Sequence, residues 1–326
     1  MPRQARIDIS GLLYHVMIRG IERREIFPNR IDKEDFIERL GKSLTESGAK
    51  CFSWVLMPNH AHLLIRVGEK KLSRIMRGLL SGYATKYNIR HKRSGHLFQN
   101  RYKAIICEEE RYLLELIRYI HLNPIRANIV KDMRELDKYE WSGHSIVMGN
   151  GKRQWQEIAD VLKMFGSVVS TAREKYREYI EEGIKLGKHG VVEQQKTLIN
   201  RKTGIEEQAD ERVLGSGEFV ESIIKGLEEK DKIKNKMKKG LDIEKLTLKV
   251  SKYYGLKITQ IKGESRMREV SKARAVMVNI GIDYLGLSGR SLEKELDISS
   301  SGISKLYRRG EKLIRDNEEV MQEIIS

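Results

Sequence analysis

Apolar and polar residues alternate through the first third of the chain in runs of strand length, separated by stretches with helical spacing. LLYHVMIR (12–19) is an apolar run ending at Gly20, strand-like in length and composition. Residues 32–47 put Phe36, Ile37, Leu40 and Leu44 on one helical face, with Asp32 placed to cap its start. CFSWVLM (51–57) is a second strand and HAHLLIRV (60–67) a third; Pro58-Asn59 between them predicts a tight hairpin turn. In the third strand Ala61, Leu63, Ile65 and Val67 share one face, while His60, His62 and Leu64 share the other. A basic helix follows over 70–90, striped by Leu72, Ile75, Met76, Leu79, Leu80 and Tyr83. YKAIIC (102–107) is a fourth strand. The acidic turn Glu108-Glu109-Glu110 then opens a helix to about Leu122, with the charge that a helix N-terminus favours.

The order strand-helix-strand-strand-helix-strand predicts an α+β fold of the ferredoxin-like βαββαβ type. Its sheet is expected to be antiparallel with two helices on one face, leaving the other face for the last helix to cross. All four prolines lie in the first 124 residues, and the sequence beyond them has helical character. Gly149-Asn150-Gly151 is a turn signal, and LEEKDKIKNKMKKG (227–240) is nearly all charge, as a solvated helix or linker would be. The expected division is 1–148, then a helical extension and charged linker over 149–240, then a C-terminal domain over 241–326. In the extension Trp155, Ile158, Leu162 and Phe165 have core spacing. The whole C-terminal half is expected to be all-α.

Composition narrows the function. With 40% hydrophobic and 33% charged residues over 326 positions, the chain has apolar material for packed cores, which excludes a wholly disordered protein. No run of 18 apolar residues exists to cross a membrane, and MPRQARIDIS lacks the apolar stretch of a signal peptide, so a cytoplasmic protein is expected. Two cysteines argue against a disulfide scaffold and against a cysteine-based zinc site. The net charge of +16 makes phosphate polyanions the first candidate partner, against a basic surface that merely aids solubility. The charge is concentrated: residues 1–150 hold 27 basic and 17 acidic side chains, and the stretch 66–103 carries 11 basic residues against Glu69 alone.

The candidate chemistry lies on the third strand and the helix after the fourth. His60 and His62, two apart on a strand, leave the same face a few ångström apart, and two neutral imidazoles can hold one divalent metal in cis. The plainer reading is two polar side chains on an open strand face. Tyr119 and Asn123 are four apart and stack on one helical face. Asn123 has an amide oxygen to offer as a third ligand, and Tyr119 a hydroxyl to present beside the metal; alternatively Tyr119 is an amphipathic residue at the edge of the core. A phenol with a pKa near 10 needs help to become a nucleophile, and a cation that polarises a phosphate gives it.

Together these pieces resemble a family. MPNHAHLLI (57–65) resembles the His-hydrophobic-His signature of the HUH endonucleases, and RYIHLNPIRANIV (118–130) the tyrosine helix of their single-tyrosine transposases, the insertion-sequence 200/605 type. YHVMIRG (14–20), REIFPNRIDKEDFIERL (24–40) and GHLFQNRYKAI (95–105) are similar to the REP-associated tyrosine transposases, so the resemblance covers roughly residues 5–145. It implies that His60 and His62 are metal ligands and that Tyr119 cuts single-stranded DNA and stays joined to the new 5′ phosphate. The strand would later be rejoined by a 3′ hydroxyl without ATP. Asn123 stands where mobile members of the family typically have a glutamine ligand, one methylene longer. The implied metal is Mg²⁺ or Mn²⁺, the implied partners are single-stranded and hairpin DNA, and the implied catalytic unit is a homodimer. Arg74, Arg77, Lys86, Arg90, Lys92, Arg93 and Arg101 are the expected phosphate contacts, with Tyr83, Tyr87, Phe98 and Tyr102 as rings for unpaired bases or as core.

Residues 241–315 resemble the DNA-binding domain of the bacterial replication initiator DnaA. LEKEL (292–296), a turn at Asp297-Ile298-Ser299, and SSGISKLYRR (300–309) have the pattern of a helix-turn-helix. Ser301, Ser304, Lys305, Arg308 and Arg309 would meet a major groove of duplex DNA, and Lys262, Arg266 and Arg268, with Arg274 behind them, the phosphates. A three-helix bundle with a solvated basic face is the plainer alternative. The function expected is thus a nucleoid-associated transposase that nicks and rejoins single strands. The rival is a domesticated, non-catalytic DNA-binding regulator, and a replication-initiating or plasmid-mobilising nuclease is a third reading.

Overall fold

The computed structural model describes residues 7–68, 70–185, 210–265, 267–317 and 319–325. Two compact units divide the chain, Met1–Ile223 and Ile224–Ser326. In the first, β1 (Leu13–Arg19), α1 (Arg30–Ser47), β2 (Lys50–Met57), β3 (His60–Arg66), α2 (Leu72–Arg90) and β4 (Lys103–Cys107) follow the βαββαβ order. The sheet runs β2-β3-β1-β4-β5, where β5 is the two-residue strand Val213–Leu214. The first four strands pair antiparallel, but β5 lies parallel to β4, so the sheet is mixed and the C-terminal half contributes a strand. Nothing in the polar spacing around 213 announces this strand; the exposed outer edge of β4 supplies the pairing.

Strand alternation sends one set of side chains to each face. Tyr14, Val16, Ile18, Leu63, Ile65 and Trp54 are fully buried on one side, the side of α1 and α2, whose Phe36, Leu40, Met76 and Tyr83 are equally buried. Helix α1 starts at Asn29, whose side chain accepts the Asp32 N–H, and stops at Gly48 in the left-handed region at φ 64°. Asp32 is therefore not the cap. It is fully buried and binds Arg90 and His91, the latter at 2.9 Å, joining α1 to the end of α2.

The opposite sheet face carries Leu13, His15, Met17, Arg19, His60, His62 and Leu64, related by the register of β1 and β3. Helix α3 (Glu109–His121) crosses it, burying Tyr112, Leu116, Ile117 and Ile120. Short helices α4 (Asn123–Arg126), α5 (Met133–Lys138), α6 (Gly143–Val147), α7 (Ala159–Lys163) and the longer α8 (Val169–Lys185) follow. Leu162, Ala172, Tyr176 and Ile180 share one core with α3, so these helices complete the first unit. The intervening 152–158 segment is not helical; its Gln156 accepts the Trp54 indole N–H at 2.8 Å, and Trp155 packs over Gly41.

Helix α9 (Gly217–Gly240) contains the division between the units. The second unit holds α10 (Ile243–Tyr254), α11 (Ile258–Lys262), α12 (Arg268–Asp283), α13 (Gly289–Leu296), α14 (Ser300–Asp316) and α15 (Glu319–Ile325). Its core is Leu246, Val250, Val276, Ile280, Leu292, Leu296 and Ile303 among others. Among the described residues no helix is long and apolar enough to cross a membrane.

Candidate nuclease site

His60 and His62 stand at the end of β3 next to the two-residue turn, opposite Arg19 and Met17 of β1. Their ring centroids are 5.2 Å apart. His60 is half-buried and His62 is 6% exposed. Burial, reinforced by the charge of Arg19, pushes His60 down to about 4. His62 is held well below its ordinary value, again by burial first and then by His15, His60 and Arg19. Both imidazoles are therefore neutral at pH 7, the form that ligates a metal.

The hydrogen bonds around the pair fit a divalent cation. His60 Nδ1 lies 2.6 Å from Asn59 Oδ1, and His62 Nδ1 lies 2.9 Å from His15 Nε2. Each imidazole thus has Nδ1 engaged and Nε2 left for a ligand, the support that metal-bound histidines require. No third His, Cys, Asp or Glu among the described residues completes a cluster with them, so further ligands would be amide, water or phosphate oxygens.

Helix α3 delivers Tyr119 to the same face. The half-buried tyrosine ring lies 6.0 Å from the His62 ring and 5.9 Å from the His15 ring, edge-on to both. Arg126, seven residues on, places its guanidinium 5.3 Å from the centre of the Tyr119 ring. Burial lowers the pKa of Arg126, while Tyr119 acts to raise it. Asn123 begins α4, and its amide nitrogen donates to the carbonyls of Tyr119 at 3.0 Å and Ile120 at 3.2 Å. That cap satisfies carbonyls at the end of α3 and does not use the amide oxygen.

Behind Tyr119 the helix is anchored by a buried polar chain. His121 Nδ1 lies 2.6 Å from the Tyr176 hydroxyl of α8, which is 3.4 Å from His144 Nδ1 of α6. His144 Nε2 lies 2.8 Å from Asp137, and Arg177 donates to the other oxygen of Asp137 at 2.9 Å. His121 points away from the site, as its helical position two residues past Tyr119 requires.

A cleft of about 280 Å³ opens over the histidines, rimmed by the exposed cations Arg19, Arg101 and Lys103. Gln99, Asn100 and Arg101 also line a groove of about 850 Å³ that runs along α2 past Arg77, His96 and Phe98. Arg77, Lys86, Lys92 and Arg101 are exposed, and Arg74 and Arg93 partly so. Arg90 turns inward to Asp32 and Asp35 and is bound there by carboxylates. Of the four expected rings, Tyr83, Tyr87 and Tyr102 are buried core residues; Phe98 is half-buried in the groove wall. Sequence reasoning missed His15, Arg19 and Arg126. Arg126 had a signal, since a spacing of seven puts it on the Tyr119 face. His15 and Arg19 had none short of the strand register.

In the second unit, α13 and α14 are joined by a three-residue turn in which Asp297 is left-handed at φ 48° and Ser299 caps α14 by accepting the Gly302 N–H. Ser301, Ser304, Lys305 and Arg308 are exposed along α14, and Arg309 bonds Ser271. Lys262 is paired with Glu295 at 2.5 Å and Arg268 is exposed, while Arg266 lies outside the described residues. Arg274 is not available to phosphates: it is buried and donates to the carbonyls of Gln260, Ile261, Gly263 and Ser265, pinning the loop before α12.

A βαββαβ sheet with a His-hydrophobic-His strand and a tyrosine-bearing helix laid across it defines an α+β domain of the ferredoxin-like type. Residues 8–123 match the family described as "Transposase IS200 like". Among solved structures the chain is similar to one described as "Structure of the REP associates tyrosine transposase bound to a REP hairpin", at 16% identity and a TM-score of 0.38, over 49% of this chain and 94% of that one. No curated protein matches the chain.

Proposed function

We propose that the protein nicks and rejoins single-stranded DNA, including strands bearing hairpins, through a covalent 5′-phosphotyrosine at Tyr119. The observation that carries this reading is the Tyr119 ring 6.0 Å from the His62 ring, beside the neutral pair His60 and His62 that lines a cationic cleft. Arg19, Arg101 and Lys103 would seat the scissile phosphate by charge. The groove beyond Gln99–Arg101 would take the unpaired strand, with Phe98 and the amides of Gln99 and Asn100 meeting its bases.

In the cleavage step the Tyr119 oxygen attacks phosphorus, forming the phosphotyrosine bond. The bond to the 3′ oxygen breaks, that oxygen is protonated, and the phenolic proton passes to solvent. Rejoining is the reverse, with a 3′ hydroxyl displacing Tyr119. His60, His62 and the Asn123 amide oxygen would hold Mg²⁺ or Mn²⁺. Such an ion, when bound, would supply charge neutralisation at the phosphate and the leaving oxygen. Arg126, with its guanidinium 5.3 Å from the centre of the Tyr119 ring, would add positive charge beside the attacking residue.

In the second unit, the exposed residues of α14 would contact duplex DNA and hold the nuclease domain near its target. The test of the whole reading is a denaturing gel of protein incubated with labelled single-stranded hairpin DNA and Mn²⁺. A covalent adduct that protease digestion reduces to a labelled peptide containing Tyr119 is expected. Tight DNA binding without any adduct would instead favour the regulator.

A further inference from the structure

We infer that His15 is a positioning residue for the metal site: it holds His62 as the tautomer whose Nε2 faces the cation. The inference rests on the reading that His60 and His62 ligate a divalent metal, and it adds a residue which the His-hydrophobic-His pattern does not contain.

The two proposed ligands are supported differently. His60 Nδ1 faces Asn59 Oδ1 at 2.6 Å. A carbonyl oxygen only accepts, so this contact places the proton on His60 Nδ1 and the lone pair on Nε2. His62 Nδ1 faces His15 Nε2 at 2.9 Å, and an imidazole nitrogen can donate or accept. The orientation of that one bond therefore decides whether His62 is a ligand. If His62 Nδ1–H donates, its Nε2 is free to bind metal; if His15 Nε2–H donates, His62 carries its proton on Nε2 and cannot ligate through it.

The geometry makes His15 specific to this task. It sits on β1 opposite Leu64, one same-face position along from Met17, which faces His62. It thus reaches His62 along the sheet diagonal, a distance that suits long or aromatic side chains. The rings stack with centroids 5.2 Å apart and planes inclined by 24°. His15 is 1% exposed, which keeps water from replacing it as the partner of His62. Its own Nδ1 is buried with no hydrogen-bond partner among the described residues. Were His15 there only to fill space, an apolar residue would do so without burying a ring nitrogen that finds no partner.

The test measures Mn²⁺ affinity by calorimetry on the full-length protein, with His15→Phe and His15→Gln beside it. Removal of an outer-shell partner of this kind typically costs 10–100-fold in metal affinity. His15→Phe should show that loss, whereas His15→Gln, whose side-chain oxygen can accept from His62 Nδ1–H, should stay within several-fold of the parent. Circular dichroism checks that each variant is folded. Nitrogen-detected histidine NMR of the parent protein, loaded with diamagnetic Mg²⁺, reads the tautomer directly and needs no variant. A proton on His62 Nδ1 is expected, and one on His62 Nε2 overturns the inference. Parent protein that binds no Mn²⁺ refutes the metal reading itself. Parent protein that binds Mn²⁺ while His15→Phe binds it equally well leaves that reading intact and refutes the role of His15.

Discussion

Tyr119 and His62 meet ring to ring across the sheet, their centroids 6.0 Å apart and their planes at 80°, although 56 residues separate them in the chain. This juxtaposition joins the helix that follows the βαββαβ motif to the β2-β3 hairpin within it. Tyr119→Phe keeps the ring and removes the oxygen that would attack phosphorus. It should abolish the covalent adduct while changing affinity for single-stranded DNA less than threefold, checked by adduct gels and fluorescence anisotropy in parallel.

The anchor behind that helix gives a prediction about stability. Tyr176→Phe removes the hydroxyl shared by His121 and His144, leaving buried ring nitrogens without their partner. A loss of about 1–3 kcal/mol is expected in urea unfolding, the usual cost of a stranded buried polar group.

Acid should weaken the first unit. His15 is pushed down to about 4, chiefly by burial and further by the charge of Lys103. Because the unfolded side chain titrates near 6.5, it takes up its proton first as the pH falls. The stabilising contribution is therefore complete above about pH 6.5 and is lost as the pH falls through about 4. His15 alone should account for about 3 kcal/mol, and His60, His62, His121 and His144 shift in the same direction. Urea midpoints measured between pH 7.5 and 4.5 check the sign; a flat profile would contradict it.

Gly310 lets α14 press against α12. A Cβ built there would stand 2.0 Å from the Ala275 carbonyl oxygen. Gly310→Ala should therefore destabilise the second unit by about 1–3 kcal/mol despite the better helix propensity of alanine. Differential scanning calorimetry should show this loss in the second unit.

Lys305 and Arg308 are exposed on α14. If this helix meets duplex DNA, Lys305→Ala or Arg308→Ala should reduce the slope of log affinity against log salt by about one. Cleavage of a short single strand should be unchanged. An unaltered salt slope would remove α14 from the DNA interface.

How far these features were legible depended on the range of the interaction. The alternation in HAHLLIRV fixes which face carries His60 and His62, because side chains in a strand can only alternate. The four-residue spacing of Tyr119 and Asn123 likewise follows from helix geometry alone. Asp32 shows where local reasoning stopped. Its residue type and position suit a cap, yet Arg90 and His91, nearly sixty residues away, draw it into the core and leave capping to Asn29.

By itself, then, the sequence determined the order of elements, the face of the histidines and the tyrosine helix, since each is set by periodicity within one element. The tertiary structure alone decided what supports them. The pairing of β1 with β3 brings His15 and Arg19 to the histidines, and the packing of α8 seats Tyr176 under His121. It also added β5 at the sheet edge and turned Arg90 inward. Those outcomes depend on which distant groups compete for a buried polar atom, and burial exists only once the chain has folded.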